Sequence, residues 1–255
     1  NFYSDISSNK ALYTAYKNLK NTQLNKQQKH ILQESINDFE LSGVGLEGKD
    51  SKRFKEIKER LSLLSNQFSK NALKSTNEWT KLVGLDELTG YGENELAKIK
   101  TENGYELSLQ MPVYMDAMSY LDNQALREEI YRAYVSRASE LGITSSDYDN
   151  KAIMDEILSL RQEMASILGF DNYAQLSIES KMVESVDQVL DFSMNLVRKS
   201  KSQAQAELDE LSKFSGIELN PWDLGFYSEK LKEKKFGFKK SDLTPYFPEQ
   251  KVLKG

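Results

Sequence analysis

One long stretch of this chain contains no helix-breaking residue. Neither Pro nor Gly occurs between Val186 and Phe214. Ser185 followed by Gln188 has the spacing of a capping box, so the pattern predicts a helix that begins at Val186. At 1.5 Å per residue this helix would be about 43 Å long, which is more than the width of a small domain. A helix of this length usually frames a large protein.

Helical periodicity also dominates other parts of the chain. Apolar residues recur at steps of three to five from Phe54 to Leu73, which predicts one long amphipathic helix. A similar pattern runs from Ile153 to Ile167 and stops before Gly169, a residue suited to the position after a helix end. Asp171 is then a candidate N-cap for a short helix that reaches Ile178.

A different pattern occurs around the Asn103-Gly104 pair. Short alternating segments, Ala97–Lys100 and Tyr105–Leu109, flank this pair, and Asn-Gly is favoured in tight hairpin turns. We therefore expect one small β-hairpin in an otherwise helical chain.

The fold class predicted is mostly α, with long helices and one small hairpin. The predicted segments are an N-terminal helical segment at 1–96, the β-hairpin at 97–112 and a second helical segment at 113–255. One continuous architecture and two lobes both fit this pattern. Pro248 suits the first turn of a further helix close to the last residue, and the chain begins at Asn1 rather than Met. We therefore expect both ends to be internal to a longer protein.

Composition excludes several kinds of chemistry. The chain has no Cys and only one His, His30. A Cys nucleophile is therefore excluded, and one His cannot supply the several Cys or His ligands of a zinc site. A net charge of −5 with both signs interspersed provides no basic field for nucleic acid. No apolar run approaches the roughly 20 residues of a membrane span, and residues 1–5 lack the pattern of a signal peptide. We expect a soluble, cytoplasmic protein with no nucleic-acid or membrane partner.

The candidate acid–base residues each have a simpler interpretation. His30 with Glu34 is typical of a solvent-facing helical surface. The adjacent pairs Asp155-Glu156 and Glu128-Glu129 point about 100° apart on a helix, so neither pair forms a site by itself. The Lys230–Lys235 run has mixed charge and is typical of a solvated helix end.

Two further groups of residues leave alternatives open. Asn220 and Pro221 favour a helix start, after which Trp222 and Phe226 share one face, for core packing or for contact with a peptide. Two of three arginines could face one groove, or the arginines could form ordinary ion pairs with neighbouring glutamates. The arginines are Arg127, Arg132 and Arg137, and the glutamates are Glu128, Glu129 and Glu140.

Many short motifs, in order, resemble the thimet-oligopeptidase family of zinc metallopeptidases. They extend over nearly the whole chain, which makes the resemblance far more specific than one motif. The motifs include Asp38-Phe39-Glu40-Leu41-Ser42-Gly43, Trp79-Thr80-Lys81-Leu82-Val83, Arg127-Glu128-Glu129-Ile130-Tyr131-Arg132, Leu160-Arg161-Gln162-Glu163, Leu168-Gly169-Phe170, Pro221-Trp222-Asp223, Phe226-Tyr227 and Pro245-Tyr246-Phe247-Pro248.

The resemblance implies a clamshell of helices around a channel that admits short peptides. The family binds zinc through an HExxH helix and a downstream Glu. This motif is absent here and, in the family's order, follows a region like Pro245–Pro248. The resemblance therefore implies no catalytic or metal residue in this chain, zinc in the full-length protein, and the missing C-terminal catalytic part as a partner. The alternatives are a non-enzymatic helical peptide-binding or interaction module, and a parent protein that has lost the motif.

Overall fold

The computed structural model describes residues 6, 8–238, 240–243 and 246–253. Residues 1–5 and the Pro245 motif position lie outside the described residues. The chain forms two compact units: unit one comprises residues 1–69 and 151–198, and unit two comprises residues 70–150 and 199–255. Helices dominate both units, as the sequence predicts, so the mostly α fold class is confirmed.

Unit one consists of helices. Its elements are α1 (Lys10–Leu19), α2 (Lys26–Leu41), the first part of α3 (Gly48–Glu78), α7 (Lys151–Ile167), α8 (Tyr173–Ile178) and the first part of α9 (Val186–Ser215). The uninterrupted helices predicted around Phe54–Leu73, Ile153–Ile167 and Val186–Phe214 are therefore all present.

The α3 and α7 helices pack through the apolar stripes that the sequence shows. Ile57, Leu64 and Leu160 are buried in one cluster. At its edge, Arg60 donates two hydrogen bonds to Glu156, at 2.6 and 2.7 Å. The cluster accounts for the apolar spacing, since residues three and four apart lie on the same face of a helix.

Unit two combines helices with a small sheet. After the end of α3 come β1 (Thr80–Val83), α4 (Glu93–Ile99), β2 (Lys100–Thr101), β3 (Gly104–Ser108), α5 (Met111–Tyr120), α6 (Gln124–Val135), the end of α9, α10 (Pro221–Phe236), α11 (Lys240–Leu243) and α12 (Glu249–Val252). Short 3₁₀ turns occupy Leu85–Leu88 and Ser146–Tyr148. The helix predicted after Pro248 is thus α12.

The sheet has three antiparallel strands in the order β1-β3-β2. The predicted hairpin corresponds to β2 and β3, in which Thr101 pairs with Gly104. The strand predicted at Ala97–Lys100 is wrong, because α4 continues to Ile99 and leaves two residues for β2. The prediction also missed β1, which pairs with β3 from Thr80 to Val83. Pairing between β1 and β3 joins distant parts of the chain, so a local pattern does not reveal it.

The hairpin turn differs from the primed turn that the Asn-Gly pair predicts. Its two central residues are Glu102 and Asn103, and neither has positive φ. Gly104 has a φ of +128° and begins β3 instead of occupying the second central position. The residue that needs positive φ is therefore the one after the turn, not one of its two central residues.

The N-terminal caps of α8 and α9 lie within one residue of the positions that the sequence patterns predict. The N-cap of α8 is Asn172, whose side chain accepts from the Gln175 N–H, so the assignment to Asp171 is wrong by one position. At the start of α9, Ser185 accepts from the Gln188 N–H at 3.1 Å. The Gln188 side chain accepts from the Glu184 N–H, so only half of the predicted capping box forms.

The core of unit two lies between the sheet and helices α5 and α6. Four of its residues are almost completely buried: Leu107 of β3, Leu109 just after β3, Leu121 after α5 and Ile130 of α6. Trp79 belongs to the same cluster and Trp222 packs against it. The two Trp residues of the chain therefore both report on the folding of unit two.

Within the described part of the chain, no helix combines the length and apolar character needed to cross a membrane.

Gly90 fixes the loop before α4 against the end of α5. Its φ is +96°, and a Cβ at this position would lie 2.1 Å from the Tyr120 carbonyl oxygen. We predict that Gly90→Ala lowers the free energy of unfolding of unit two by more than about 2 kcal/mol, since backbone strain and a clash with backbone add together. Urea titration monitored by Trp fluorescence measures this change in the free energy of unfolding.

The matched control is Gly237→Ala. Gly237 has a φ of +71° but nothing within 4 Å of its Cβ position. This variant should lose only about 1 kcal/mol, the cost of positive φ alone. Equal losses in the two variants would show that the Gly90 loop is not packed against Tyr120.

Candidate functional site

The dominant polar contact of unit two is a buried ion pair between α6 and α10. Nη2 of Arg127 lies 2.6 Å from Oδ1 of Asp223. The two side chains are 2% and 0% exposed. Removing both charges from water is expensive, so such a pair persists only when hydrogen bonds satisfy the remaining polar atoms.

Arg127 uses its other donors to hold backbone carbonyls. Nη1 donates to the Leu121 oxygen at 2.7 Å and to the Asp122 oxygen at 3.1 Å. Nε donates to the Trp222 oxygen at 3.1 Å. The guanidinium also lies 4.1 Å from the centre of the Phe226 ring. One side chain therefore links the end of α5 to the first turn of α10.

Asp223 is equally well satisfied as an acceptor. Gln124 Nε2 donates to both carboxylate oxygens, at 3.1 and 3.0 Å, and the Asn220 N–H donates to Oδ2 at 3.1 Å. Burial alone would raise the pKa of Asp223, but the hydrogen bonds from Arg127, Asn220 and Gln124 outweigh it and hold the pKa below its ordinary value. Asp223 therefore remains an anion at neutral pH.

In the same unit, α4, α5 and α10 enclose a cleft of about 730 Å³. Carboxylates and ammonium groups both line it. Lys98 of α4 contacts Asp116 of α5, with Nζ 2.5 Å from Oδ2. The other lining residues include Tyr91, Glu95, Ser119, Tyr120, Glu229, Lys230 and Phe238.

Two tyrosines of the cleft stay protonated at neutral pH. Burial, followed by the charges of Glu229, Asp116 and Glu95, raises the pKa of Tyr120 to about 12. Burial and the nearby carboxylates also raise the pKa of Tyr91. The Tyr91 hydroxyl is buried and has no hydrogen-bond partner among the described residues. The cleft therefore offers neutral phenols and paired charges, which suits binding of polar groups rather than proton transfer.

The candidate acid–base residues lie on the surface. His30 and Glu34 are both exposed on α2, as the simpler interpretation predicts. The paired carboxylates divide among separate partners: Glu156 binds Arg60, Glu128 lies 2.8 Å from Arg132, and Glu129 lies 2.5 Å from Lys81. These contacts separate the adjacent carboxylates instead of joining them in a site.

The three arginines have three different environments. Arg127 is the buried residue described above, and its partner, Asp223, is not among the glutamates that the sequence suggested. Arg132 is exposed over the Trp222 ring, 5.1 Å from its centre. Arg137 donates to Thr76 Oγ1 at 2.8 Å and stacks on Tyr134. An ion pair with a neighbouring glutamate, as expected, is shown for Arg132.

The aromatic and lysine segments belong to α10. Trp222 packs against the core, and Phe226 is 8% exposed, so the core-packing alternative holds for both. Within the Lys230–Lys235 run, Lys235 lies 2.7 Å from Glu210. The run is therefore part of a helix with ordinary ion pairs.

The residues that the structure describes do not fit a catalytic zinc ion. Among the described residues, no group of three or more His, Cys, Asp or Glu side chains could hold a metal ion. The single imidazole of the whole sequence, His30, is on the exposed surface of α2.

A comparison with protein-family models shows the family to which this chain belongs. Residues 117–255, more than half of the chain, match the family model described as peptidase family M3. The chain belongs to peptidase family M3. In this M3 chain, residues 1–51 also match the N-terminal domain of neurolysin and thimet oligopeptidase. The resemblance predicted from the sequence motifs is confirmed.

Known relatives are similar in sequence to almost all of this chain. The M3 chain is 43% identical to oligopeptidase A of Salmonella typhimurium and 44% identical to oligopeptidase A of Escherichia coli, in each case over 98% of this chain and 39% of the relative. It is 33% identical to the probable cytosolic oligopeptidase A of Arabidopsis thaliana, over 99% of this chain and 39% of the relative. The chain thus spans 39% of the length of these relatives.

The buried pair was the main feature missed from the sequence. A local signal for Asp223 exists, because an acidic residue three positions after Asn220 caps a helix start. No local signal pairs it with Arg127, which lies 96 residues earlier.

We predict that Asp223→Asn lowers the free energy of unfolding of unit two by about 3 to 5 kcal/mol at pH 7, because it leaves the buried Arg127 charge unpaired. Urea titration with Trp fluorescence measures the loss. The matched control, Glu128→Gln, removes the carboxylate of an exposed pair and should cost less than about 1 kcal/mol.

The difference between wild type and Asp223→Asn should also depend on pH. The folded-state pKa of Asp223 is lowered, so the stabilisation is complete above about pH 4, the ordinary Asp value, and is lost as the pH falls through the folded-state pKa. A difference that stayed constant from pH 7 to pH 2 would contradict the charged pair.

Proposed function

We propose that this chain is part of a zinc-dependent oligopeptidase that hydrolyses peptide bonds in short peptides. The observation that carries the proposal is the 43–44% identity to bacterial oligopeptidases A over 98% of the chain. Identity at this level over nearly every element described above supports the same activity for the full-length protein, of which this chain is the smaller part.

Within that enzyme, the chain supplies part of the lobes and of the channel wall. The helical segments 1–96 and 113–255, with the hairpin segment 97–112 between them, provide cores and long helices. No Cys is available, and the candidate carboxylates Glu128, Glu129 and Glu156 bind Arg or Lys. Zinc ligands and hydrolysis are therefore assigned to the remainder of the protein, which is this chain's partner.

Short peptides are the proposed substrates, and the cytoplasm is the proposed location. The relative from Arabidopsis is named a probable cytosolic oligopeptidase A, which supports this location. The acidic net charge of −5 is consistent with the absence of a nucleic-acid partner.

The test compares the full-length protein with the 255-residue chain under identical conditions. Metal content is measured by mass spectrometry, and activity by cleavage of a quenched fluorescent peptide. We expect one equivalent of zinc and chelator-sensitive cleavage in the full-length protein and neither in the chain, because catalytic zinc requires about three protein ligands.

Two results would contradict this assignment. Stoichiometric zinc with chelator-sensitive cleavage in the 255-residue chain would show that the chemistry is not confined to the remainder. A full-length protein without zinc or cleavage would instead favour a non-enzymatic, peptide-binding or interaction module.

A further inference from the structure

The first half of α9 is an uncovered helical surface. Every residue from 187 to 210 is exposed. The first half nevertheless carries six large apolar side chains that we call the apolar sector. Its members and their exposed fractions are Val189 (37%), Leu190 (55%), Phe192 (64%), Met194 (52%), Leu196 (52%) and Val197 (51%).

The apolar sector is unusually wide. At 3.6 residues per turn, successive side chains are about 100° apart, which places the six members over about 200° of the helix circumference. A helix that covers the surface of a core needs an apolar stripe of only about 100°. One neighbouring element cannot cover 200°, so the width requires neighbours on at least two sides.

The second half of α9 has a different character. Between Arg198 and Glu210, the only large apolar residue is Leu208, and most of the others are charged or polar. This half is suited to solvent. The change along one continuous helix shows that only the first half is built for burial.

We propose that the apolar sector packs against at least two elements in the remainder of the full-length enzyme. This inference rests on the proposed function and deepens it by naming the surface that receives the rest of the protein. The length of that remainder supports this occupant, since the chain spans 39% of its bacterial relatives. Residues 117–255, which include all of α9, match the M3 family model, so the helix belongs to the common architecture of the family.

Other occupants fit the sector less well. An extended peptide would contact one side of the helix and leave much of a 200° sector in water. A membrane surface favours helices whose polar face is rich in Lys and Arg. Here the polar face beside the sector carries Asp187 and Asp191, which anionic lipids would repel.

The packing also separates two roles within α9. The apolar sector faces the interior of the enzyme and does not line an open channel. Residues 198–210 remain available to solvent.

Single cysteines test the packing directly, because the described chain has none of its own. Leu190→Cys and Met194→Cys probe the apolar sector, and Asn195→Cys is the matched control on the polar face of the same helix. Each is placed in the full-length protein and in the 255-residue chain. The rate of labelling by a maleimide is then measured at each site by peptide mass spectrometry, with the urea-denatured protein as reference.

We expect positions 190 and 194 to react at least about tenfold more slowly than position 195 in the full-length protein, because burial blocks access to the thiol. In the 255-residue chain at low concentration, all three should react at similar rates. Peptide cleavage by each unlabelled full-length variant, compared with wild type, shows that the variant is folded.

The possible results distinguish a failure of the packing from a failure of the proposed function. Full-length protein that cleaves peptides but labels equally at positions 190, 194 and 195 would overturn the packing alone. Protection in the 255-residue chain that increases with its concentration, without protection in the full-length protein, would assign the sector to a second copy and also overturn the proposal. Protection without peptide cleavage would support the packing and contradict the proposed function.

Discussion

The arrangement of unit two depends on the buried ion pair between Arg127 and Asp223. Four hydrogen bonds from this arginine reach two backbone carbonyls after α5, one in the first turn of α10, and the carboxylate itself. The pair therefore sets where α10 begins relative to α5 and α6. Burial makes this arrangement specific, because any displacement leaves a charge in the interior without its partner.

The same arginine connects two walls of the cleft, which are α4, α5 and α10. It bonds to carbonyls just after α5 and pairs with Asp223 of α10. The Gly90 loop, pressed against the Tyr120 carbonyl, fixes the remaining side. In this polar cavity the tyrosines stay neutral and Lys98 is paired with Asp116. Such a cavity suits the binding of polar groups.

Local patterns predicted the long helices well, because apolar periodicity and the absence of Pro and Gly are properties of neighbouring residues. They failed for β1 and for the Arg127–Asp223 pair, since both join residues that are distant along the chain. The predicted turn was misplaced by one residue. Gly104 begins β3, whereas the pattern placed the start of the strand at Tyr105. Family motifs supplied what periodicity could not, namely the relationship to the M3 peptidases.

The central proposal is that this M3 chain is a scaffold of an oligopeptidase whose metal ligands lie elsewhere in the protein. X-ray diffraction from crystals of the full-length protein, recorded at the zinc absorption edge, tests it most directly. The account predicts one anomalous peak whose ligands all come from outside these 255 residues. A peak coordinated by His30 or by any carboxylate of this chain would contradict it.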